Sequence, residues 1–519
     1  MLRFFLLLIA TLGINSSPVW PPPKSLVAEG PLLAVHPDFT ITVTSNSQIL
    51  ERGILRTQTH MKSFLKPLVV GSVPLLSLHL NVESHEDDQL PSSATDYSYT
   101  IDINGTDASA TCHSVYGCLY ALESFSQLFD RKTSSLFASR ITISDSPDYA
   151  WRGIMIDSGR RFVPMATLED IMDVMAANKL NVLHLHASDH CRFGVESKLF
   201  PNLTAALTGI KKGFYSQDDV RSLIKYAGDR GIRVVPEFDI PGHSRGFLPL
   251  AASDQIRFCT DEADRSQLYD DPEGITFKTL HALMGEMAQL FSDNVFNIGS
   301  DETAAKGICT VNNTLGIEKK ILTAIQTDFK KTPEGWEEVL FDAGAATPET
   351  IVNAWARHTA NEITETGRKA VESKDDHFYF TAAAPGGPAG WKTCWYDIGT
   401  NVSAGQKHLL LGGEMSMWTD TYCYINQCGA AGGGSLPVGH SLFDPAKDAE
   451  FHKSIGGMIW PRGYVGAAAF WNYDATTDPS SAAFTQGVWK LNDELAARGK
   501  AVCPSNCSCD QLSACGKPY

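Results

Sequence analysis

Two hydrophobic rhythms divide this chain. Between residues 18 and 150, apolar and polar positions alternate in runs such as Phe39-Thr40-Ile41-Thr42-Val43 and 97–103, the period of half-buried strands. Val115, Leu119, Leu122, Phe125 and Leu128 then recur at helical spacing, so 114–128 reads as a helix and 18–150 as a small α+β domain. From Trp151 onward, short β-rich runs alternate with amphipathic helices. Strands are predicted at Trp151–Asp157, 181–186, Arg233–Phe238, 295–299, 351–355, 377–381 and 409–412, with an eighth near Trp336. Thr167 and Asp170 cap one predicted helix; Ser216 and Asp219 open another, which Gly231 ends. Alternation sustained this long predicts a parallel sheet, and eight repeats close a (β/α)8 TIM barrel over residues 151–500. A cysteine-rich tail, 501–519, follows. Glycine-rich stretches at 384–390 and 429–434 follow strand ends, where a loop overhangs a site or is simply a surface insertion.

In such a barrel the chemistry sits where strands end. The fourth predicted strand runs through Phe296-Asn297-Ile298-Gly299-Ser300-Asp301-Glu302 and delivers two adjacent carboxylates after a glycine. Two neighbouring carboxylates cannot both ionise freely, so one tends to hold its proton. A proton donor beside a fixed negative charge suits cleavage of a glycosidic bond. Other strand ends present matching groups. Arg152 carries a guanidinium fork able to clamp a pair of hydroxyls; His184, His186 and Asp189 follow the second strand, and 236–243, ending in His243, closes the third. Trp336, Trp355, Trp395 and Trp418 lie near later strand ends, where tryptophans wall the apolar faces of a pyranose. His184 and His186 share one strand face, with His190 nearby, which also suits a metal. Packed interior histidines are the plainer reading.

Composition narrows the compartment. Residues 1–17 have the form of a secretory signal peptide: Arg3, an apolar run from Phe4 to Leu12, then small residues at Ser16-Ser17. No later run is apolar for the roughly 18 residues a membrane span needs. The 12 cysteines suggest disulfides, and Asn104, Asn202, Asn312, Asn401 and Asn506 are glycosylation sequons. Together these favour the eukaryotic secretory route. A net charge of −16 with no basic cluster argues against nucleic acid or an anionic membrane as partner.

Six segments, in order, resemble glycoside hydrolase family 20, the β-N-acetylhexosaminidases. They are 151–157 with Arg160 and Pro164, 178–186 ending in Asp189, 236–243, 298–302, Gly412-Gly413-Glu414 with Trp418, and the first-domain motifs Val115-Tyr116-Gly117 and 123–128. The resemblance implies that Glu302 is general acid and then base, and that the substrate's own 2-acetamido carbonyl is the nucleophile, a recorded exception to the two-carboxylate scheme. It implies that Asp301 orients the acetamido group, with Asp189 and His243 as a supporting pair behind Glu302. Arg152 would hold ring hydroxyls, with Asp420 on the opposite wall; Trp336, Trp355 and Trp418 would surround the sugar, and Tyr396 would bond the acetamido oxygen. The match with 391 or 395 of the family's tryptophan after strand seven stays open. A Cys259–Cys309 disulfide is implied, as is exo action on N-acetylhexosamine-terminated glycans or chitooligosaccharides, with no metal or organic cofactor. Family members are often homodimers. Secreted and lysosomal or vacuolar destinations both stay open, as does the choice between gluco and galacto sugars. The sequence departs from the family pattern at Asn297, Ser300, His190, Asp397 and Asp420. Ser300 and Asp420 motivate a second reading, a glycan-binding protein on a catalytically weakened barrel; a metal-dependent hydrolase is a third.

Overall fold

In the computed structural model, residues 10–11, 17–68, 73–84, 89–205, 207, 213–260, 266–303, 307–380, 390–419 and 448–503 are described. The first domain is a nine-stranded sheet in the order β1-β2-β9-β5-β6-β4-β3-β8-β7. Its strands are β1 (Ala10–Thr11), β2 (Ser25–Glu29), β3 (Leu33–Val43), β4 (Leu75–Val82), β5 (Tyr99–Asn104), β6 (Asp107–Cys112), β7 (Phe129–Asp130), β8 (Ser135–Leu136) and β9 (Arg140–Asp145). Strict alternation of buried and exposed residues along β5 and β9 marks a sheet with one covered face. Helices Gln48–Lys62 and Val115–Gln127 supply the cover, each opened by a serine (Ser47, Ser114) whose hydroxyl accepts a backbone N–H of the first turn.

The second domain is the predicted barrel, a closed ring of eight parallel strands. They are β10 (Trp151–Asp157), β11 (Val182–Ser188), β12 (Arg233–Phe238), β13 (Val295–Asn297), β14 (Thr332–Trp336), β15 (Ile351–Ala354), β16 (Ala370–Glu372) and β17 (Leu410–Met417). Every residue of β10, β11 and β12 is buried, because helices cover the outside and side chains fill the inside. One expected strand is misplaced. Residues 377–380 do not form the seventh strand, and 381 lies outside the described residues; Ala370–Glu372 forms it, and Asp375–Phe378 is a short helix beyond it. Three residues are too short a run to display a period, which is why the longer aromatic stretch downstream took its place in the sequence reading.

The barrel interior is layered. Trp151, Val182, Val235, Val295, Ile351 and Val371, from the beginnings of their strands, plug the lower mouth. Met155, Trp336, Tyr379 and Trp418, with Trp355 against them, form an aromatic layer at the opposite end. Ionisable groups lie between. The lower mouth abuts the first domain, where buried Lys179 lies 2.8 Å from Asp145 and donates to the Tyr99 hydroxyl at 2.8 Å. Trp471 donates to Asp145 at 2.8 Å from the helix Arg462–Asn472. At the rim of the same junction, Arg498 after the last helix, Ala482–Ala497, pairs with Glu123 at 3.0 Å. Among the described residues no helix is long and apolar enough to cross a membrane.

Candidate active site

The turn after β13 is held in an unusual conformation. Gly299, Ser300 and Glu302 have φ of 66°, 72° and 50°, the left-handed region that side-chain-bearing residues seldom enter. Gly299 has no alternative, since a Cβ there would stand 2.2 Å from the Asp239 carboxylate. Asp239 accepts the Ser300 N–H at 3.1 Å, and Asn297, where the family has His, accepts the Gly299 N–H at 2.7 Å. The result is a divided pair: Asp301 is 8% exposed, while the Glu302 side chain is 63% exposed and stands at the mouth.

His243 (φ 45°) links them, its Nε2 lying 3.4 Å from Asp301 Oδ2 and 3.3 Å from Glu302 Oε2. Its Nδ1 is 3.6 Å from Asp189 Oδ1. Burial alone would raise the Asp301 carboxyl, yet the charge of His243 and a hydrogen bond from it hold it below the usual range. His243 in turn is held well above the ordinary histidine value: burial opposes its charge, and Asp301 and Asp189 outweigh the burial. Asp239 is pushed well up by burial and then by Asp301, so the site holds one charged and one neutral carboxyl beside each other.

Behind this pair runs a buried relay. Asp189 Oδ2 lies 2.8 Å from His186 Nε2, and His186 Nδ1 lies 2.5 Å from Glu237 Oε2. Glu237 Oε2 is 3.0 Å from His184 Nε2, and His184 Nδ1 is 2.8 Å from Glu414 Oε1. His184 and His186 therefore face carboxylates on both sides. Glu237 also accepts the Trp336 indole N–H at 2.9 Å, which ties the relay to the aromatic layer.

That layer presents Trp336 and Trp418 at 5.9 Å and 42°, Trp355 stacked on Tyr379 at 5.9 Å and 8°, and Tyr379 at 6.0 Å from Trp418. Glu338 accepts the Trp355 indole N–H at 3.1 Å; burial, then the Asp301 charge, pushes its carboxyl up to about 8. Glu337 accepts the backbone N–H groups of Trp355, Ala356, Arg357 and His358 and so fixes the loop that carries Trp355. Burial raises the Tyr379 phenol well above its ordinary value, and Asp301 adds to the effect, so the hydroxyl stays a donor.

Three sequence expectations change. Arg152 is not at the mouth. It sits near the start of β10, fully buried, donating to the Lys179 carbonyl at 2.8 Å, the Tyr149 carbonyl at 2.6 Å and the Tyr120 hydroxyl at 3.4 Å. The arginine at the site is Arg160, 2.9 Å from Asp189 and 3.1 Å from Asp157, with its guanidinium 4.8 Å from the Trp418 ring centre. Trp395 packs on Tyr473 and Phe484 in the outer helical layer, and Trp391 also meets Phe484. Tyr396 stacks on His377 at 3.8 Å, apart from the aromatic layer; Tyr379 holds the place expected for it. These last two shifts follow from the misplaced seventh strand. The Arg152 error has a simpler root: only the C-terminal end of a strand faces the site, and Arg152 is the second residue of β10, at its opposite end. Asp420 and Asn506 lie outside the described residues. Asn104, Asn202, Asn312 and Asn401 are exposed. Cys259 and Cys309 are bonded, joining the loops after β12 and β13; Cys112 and Cys118 form a second disulfide that the sequence reading did not pair.

Barrels with carboxylates at the strand ends and an aromatic wall beside them are suited to cleaving sugars. Residues 149–427 match the model of glycosyl hydrolase family 20, catalytic domain, and the chain belongs to that family; it is a glycoside hydrolase. It is similar to β-hexosaminidase subunit beta of Mus musculus, 28% identical over 467 residues, which are 82% of this chain and 86% of the mouse protein. It is also similar to β-hexosaminidase subunit A1 of Dictyostelium discoideum, 28% identical over 384 residues, 67% of this chain and 70% of that one. Among solved structures, the fold is shared with the Flavobacterium johnsoniae chitobiase (TM-score 0.74, 22% identity, 94% of this chain and 74% of that one). A mutant Streptomyces plicatus β-hexosaminidase bound to its product, GlcNAc, superposes with TM-score 0.71 at 19% identity, over 96% and 98% of the two chains.

Proposed function

We propose that this hydrolase removes terminal, non-reducing β-linked N-acetylhexosamine from glycans or chitooligosaccharides by a substrate-assisted, retaining mechanism. The observation that carries the reading is the divided carboxylate pair: an exposed Glu302 and a buried, charged Asp301, bridged by His243 at the edge of the aromatic layer. Glu302 is placed to give a proton to the departing oxygen and later to take one from water. Asp301 has one oxygen toward His243 and a second, Oδ1, with no protein partner among the described residues. That second oxygen suits an acetamido N–H, whose carbonyl is thereby turned toward the anomeric carbon. Tyr379 is the donor nearest in character to what the acetamido oxygen needs. Trp336, Trp355 and Trp418 supply the apolar surface for the acetamido methyl and the ring face.

Arg160, rather than Arg152, is the cation for ring hydroxyls, held in place by Asp157 and Asp189. The homologous β-hexosaminidases and the signal-like N-terminus support a secretory-route enzyme of the secreted or lysosomal kind, and a homodimeric assembly is part of the proposal. Release of 4-nitrophenol from its β-N-acetylglucosaminide and β-N-acetylgalactosaminide, between pH 4 and 7, is the direct test. Turnover by the wild type that disappears in Glu302→Gln supports it. A well-folded wild type that binds GlcNAc without turnover would support the glycan-binding reading instead, for which Ser300 is the described departure nearest the carboxylates.

A further inference from the structure

His190 stands where the family often has a second aspartate, and it changes what surrounds the supporting pair. Its Nε2 lies 3.2 Å from His243 Nδ1 and 3.9 Å from Asp189 Oδ1; the remaining edge, Asp189 Oδ1 to His243 Nδ1, is 3.6 Å. Donors bound to a tetrahedral zinc at about 2.0–2.1 Å stand about 3.3–3.4 Å from one another. The three atoms thus outline one face of a zinc coordination shell with only small adjustments. They are also the right kind of atoms, two imidazole nitrogens and one carboxylate oxygen.

We propose that Asp189, His190 and His243 form a binding site for a zinc-class divalent cation, and that occupancy inhibits the enzyme. The surroundings favour a cation. Asp301 and Glu302 lie against the far nitrogen of His243, while Arg160 and His186 are the opposing charges, both directed at the other oxygen of Asp189. Asp189 Oδ1 already accepts the His190 backbone N–H, which positions it without using both of its lone pairs. An ion can enter because the His190 side chain is 21% exposed, whereas Asp189 beneath it is fully buried.

The consequence follows from His243. Zinc takes the place of the proton on Nδ1, leaving Nε2 as the protonated nitrogen 3.3 Å from Glu302 Oε2. The ion takes the Asp189 and His243 atoms that otherwise pair with each other behind Asp301 and Glu302, so that support is diverted from the catalytic carboxylates to the metal. The site is therefore inhibitory rather than catalytic. This inhibitory effect rests on the function proposed above; the binding itself does not.

Calorimetric titration of the chelator-treated full chain with zinc chloride tests the binding, and hydrolysis measured over the same zinc range tests the effect. One zinc per chain is expected, with inhibition that follows the binding curve, is reversed by chelator and is not reproduced by magnesium. His190→Gln should raise the zinc concentration for half-inhibition at least tenfold relative to its own zinc-free rate, and weaken binding in parallel. Cobalt(II), used as a spectroscopic probe, should give the visible absorption of a nitrogen-ligated four-coordinate ion in the wild type and not in the variant. Equal zinc affinity in the wild type and His190→Gln, or no binding by the wild type at about 1 mM, an affinity too weak to hold a specific site, would overturn the proposal. Zinc binding that depends on His190 in a chain with no hydrolytic activity in any state would uphold the site while removing the assigned function.

Discussion

Arg152 and Arg160 leave the two ends of the same first barrel strand, and the contrast between them separates structure from chemistry here. Arg152 is enclosed. Its donors meet backbone carbonyls and a tyrosine hydroxyl, and its guanidinium lies 4.9 Å from the ring centre of Tyr97 and 5.2 Å from that of Trp471. Those partners come from the first domain, from the barrel and from the helix Arg462–Asn472, so Arg152 ties three parts of the chain together. Arg160 is also paired, but with Asp157 and Asp189 at the open end, beside Trp418. The same side chain serves assembly at one mouth and presents charge at the other. What differs is which end of the strands it occupies and which loops converge there.

Variants at the two ends should therefore fail differently. Glu302→Gln should lower kcat by about 10²–10⁴ with an unchanged melting temperature, because only a proton donor is lost. Asp301→Asn should cost about 10²–10³ in kcat, most of it in turnover rather than KM, and a thiazoline mimic of the cyclised acetamido group should inhibit the wild type strongly and this variant weakly. At the closed end, Arg152→Met should destabilise the fold by about 2–4 kcal/mol, by leaving buried carbonyls without donors, while kcat per folded molecule stays as in the wild type. Chemical denaturation paired with active-site titration separates the two outcomes. Loss of kcat in Arg152→Met without loss of stability would erase the distinction drawn between the two mouths.

The pH dependence sharpens the same comparison. Burial raises Glu334 and Glu318 to about 8, and Glu338 likewise, from an ordinary value of 4.5. Each folded carboxyl keeps a proton that the unfolded chain has released, so each contributes a fall in stability as pH rises from about 4.5 toward 8. His184, His186 and His243, whose folded values are raised, act in the same direction, their contribution being present below the ordinary histidine value and lost as pH rises through the folded one. Asp189 and Glu237 act oppositely, but their lowered values confine the loss to more acid solution. The folded protein should accordingly be more stable at pH 5 than at pH 8. The smallest predicted effect on activity is that of Glu318→Gln, which should flatten this slope by up to about 3 kcal/mol between pH 5 and 8 with little change in kcat. Glu318 lies in the helix Val311–Thr327, fully buried near Ser300, so an altered KM in that variant would reveal that the helix also positions the catalytic turn.

Much of the site was legible because its residues lie within a few positions of strong strand signals. Asp189, His243, Asp301 and Glu302 each follow an apolar run that forms a barrel strand, and the ends of β11, β12 and β13 bring them together. Tyr379 and the outward place of Trp395 were hidden, because the strand before them, Ala370–Glu372, is three residues long and leaves no periodic trace. Glu237, Glu334 and Glu414 were hidden for another reason. A glutamate within an apolar strand gives no sign of whether it is paired, and only the closed ring brings His184 and His186 to Glu237 and Glu414.

Local order is written in the chain itself: a strand's period, a helix cap and a glycine before two carboxylates depend on neighbours a few residues apart, and those set the alternating domain, the barrel and the catalytic pair. Tertiary structure alone decided which of two arginines faces substrate, which tyrosine joins the tryptophans, and how far each carboxyl is held from its ordinary proton affinity. Those properties depend on burial and on charges brought close by barrel closure, from residues as far apart as Asp157 and Thr419 or His184 and Glu414.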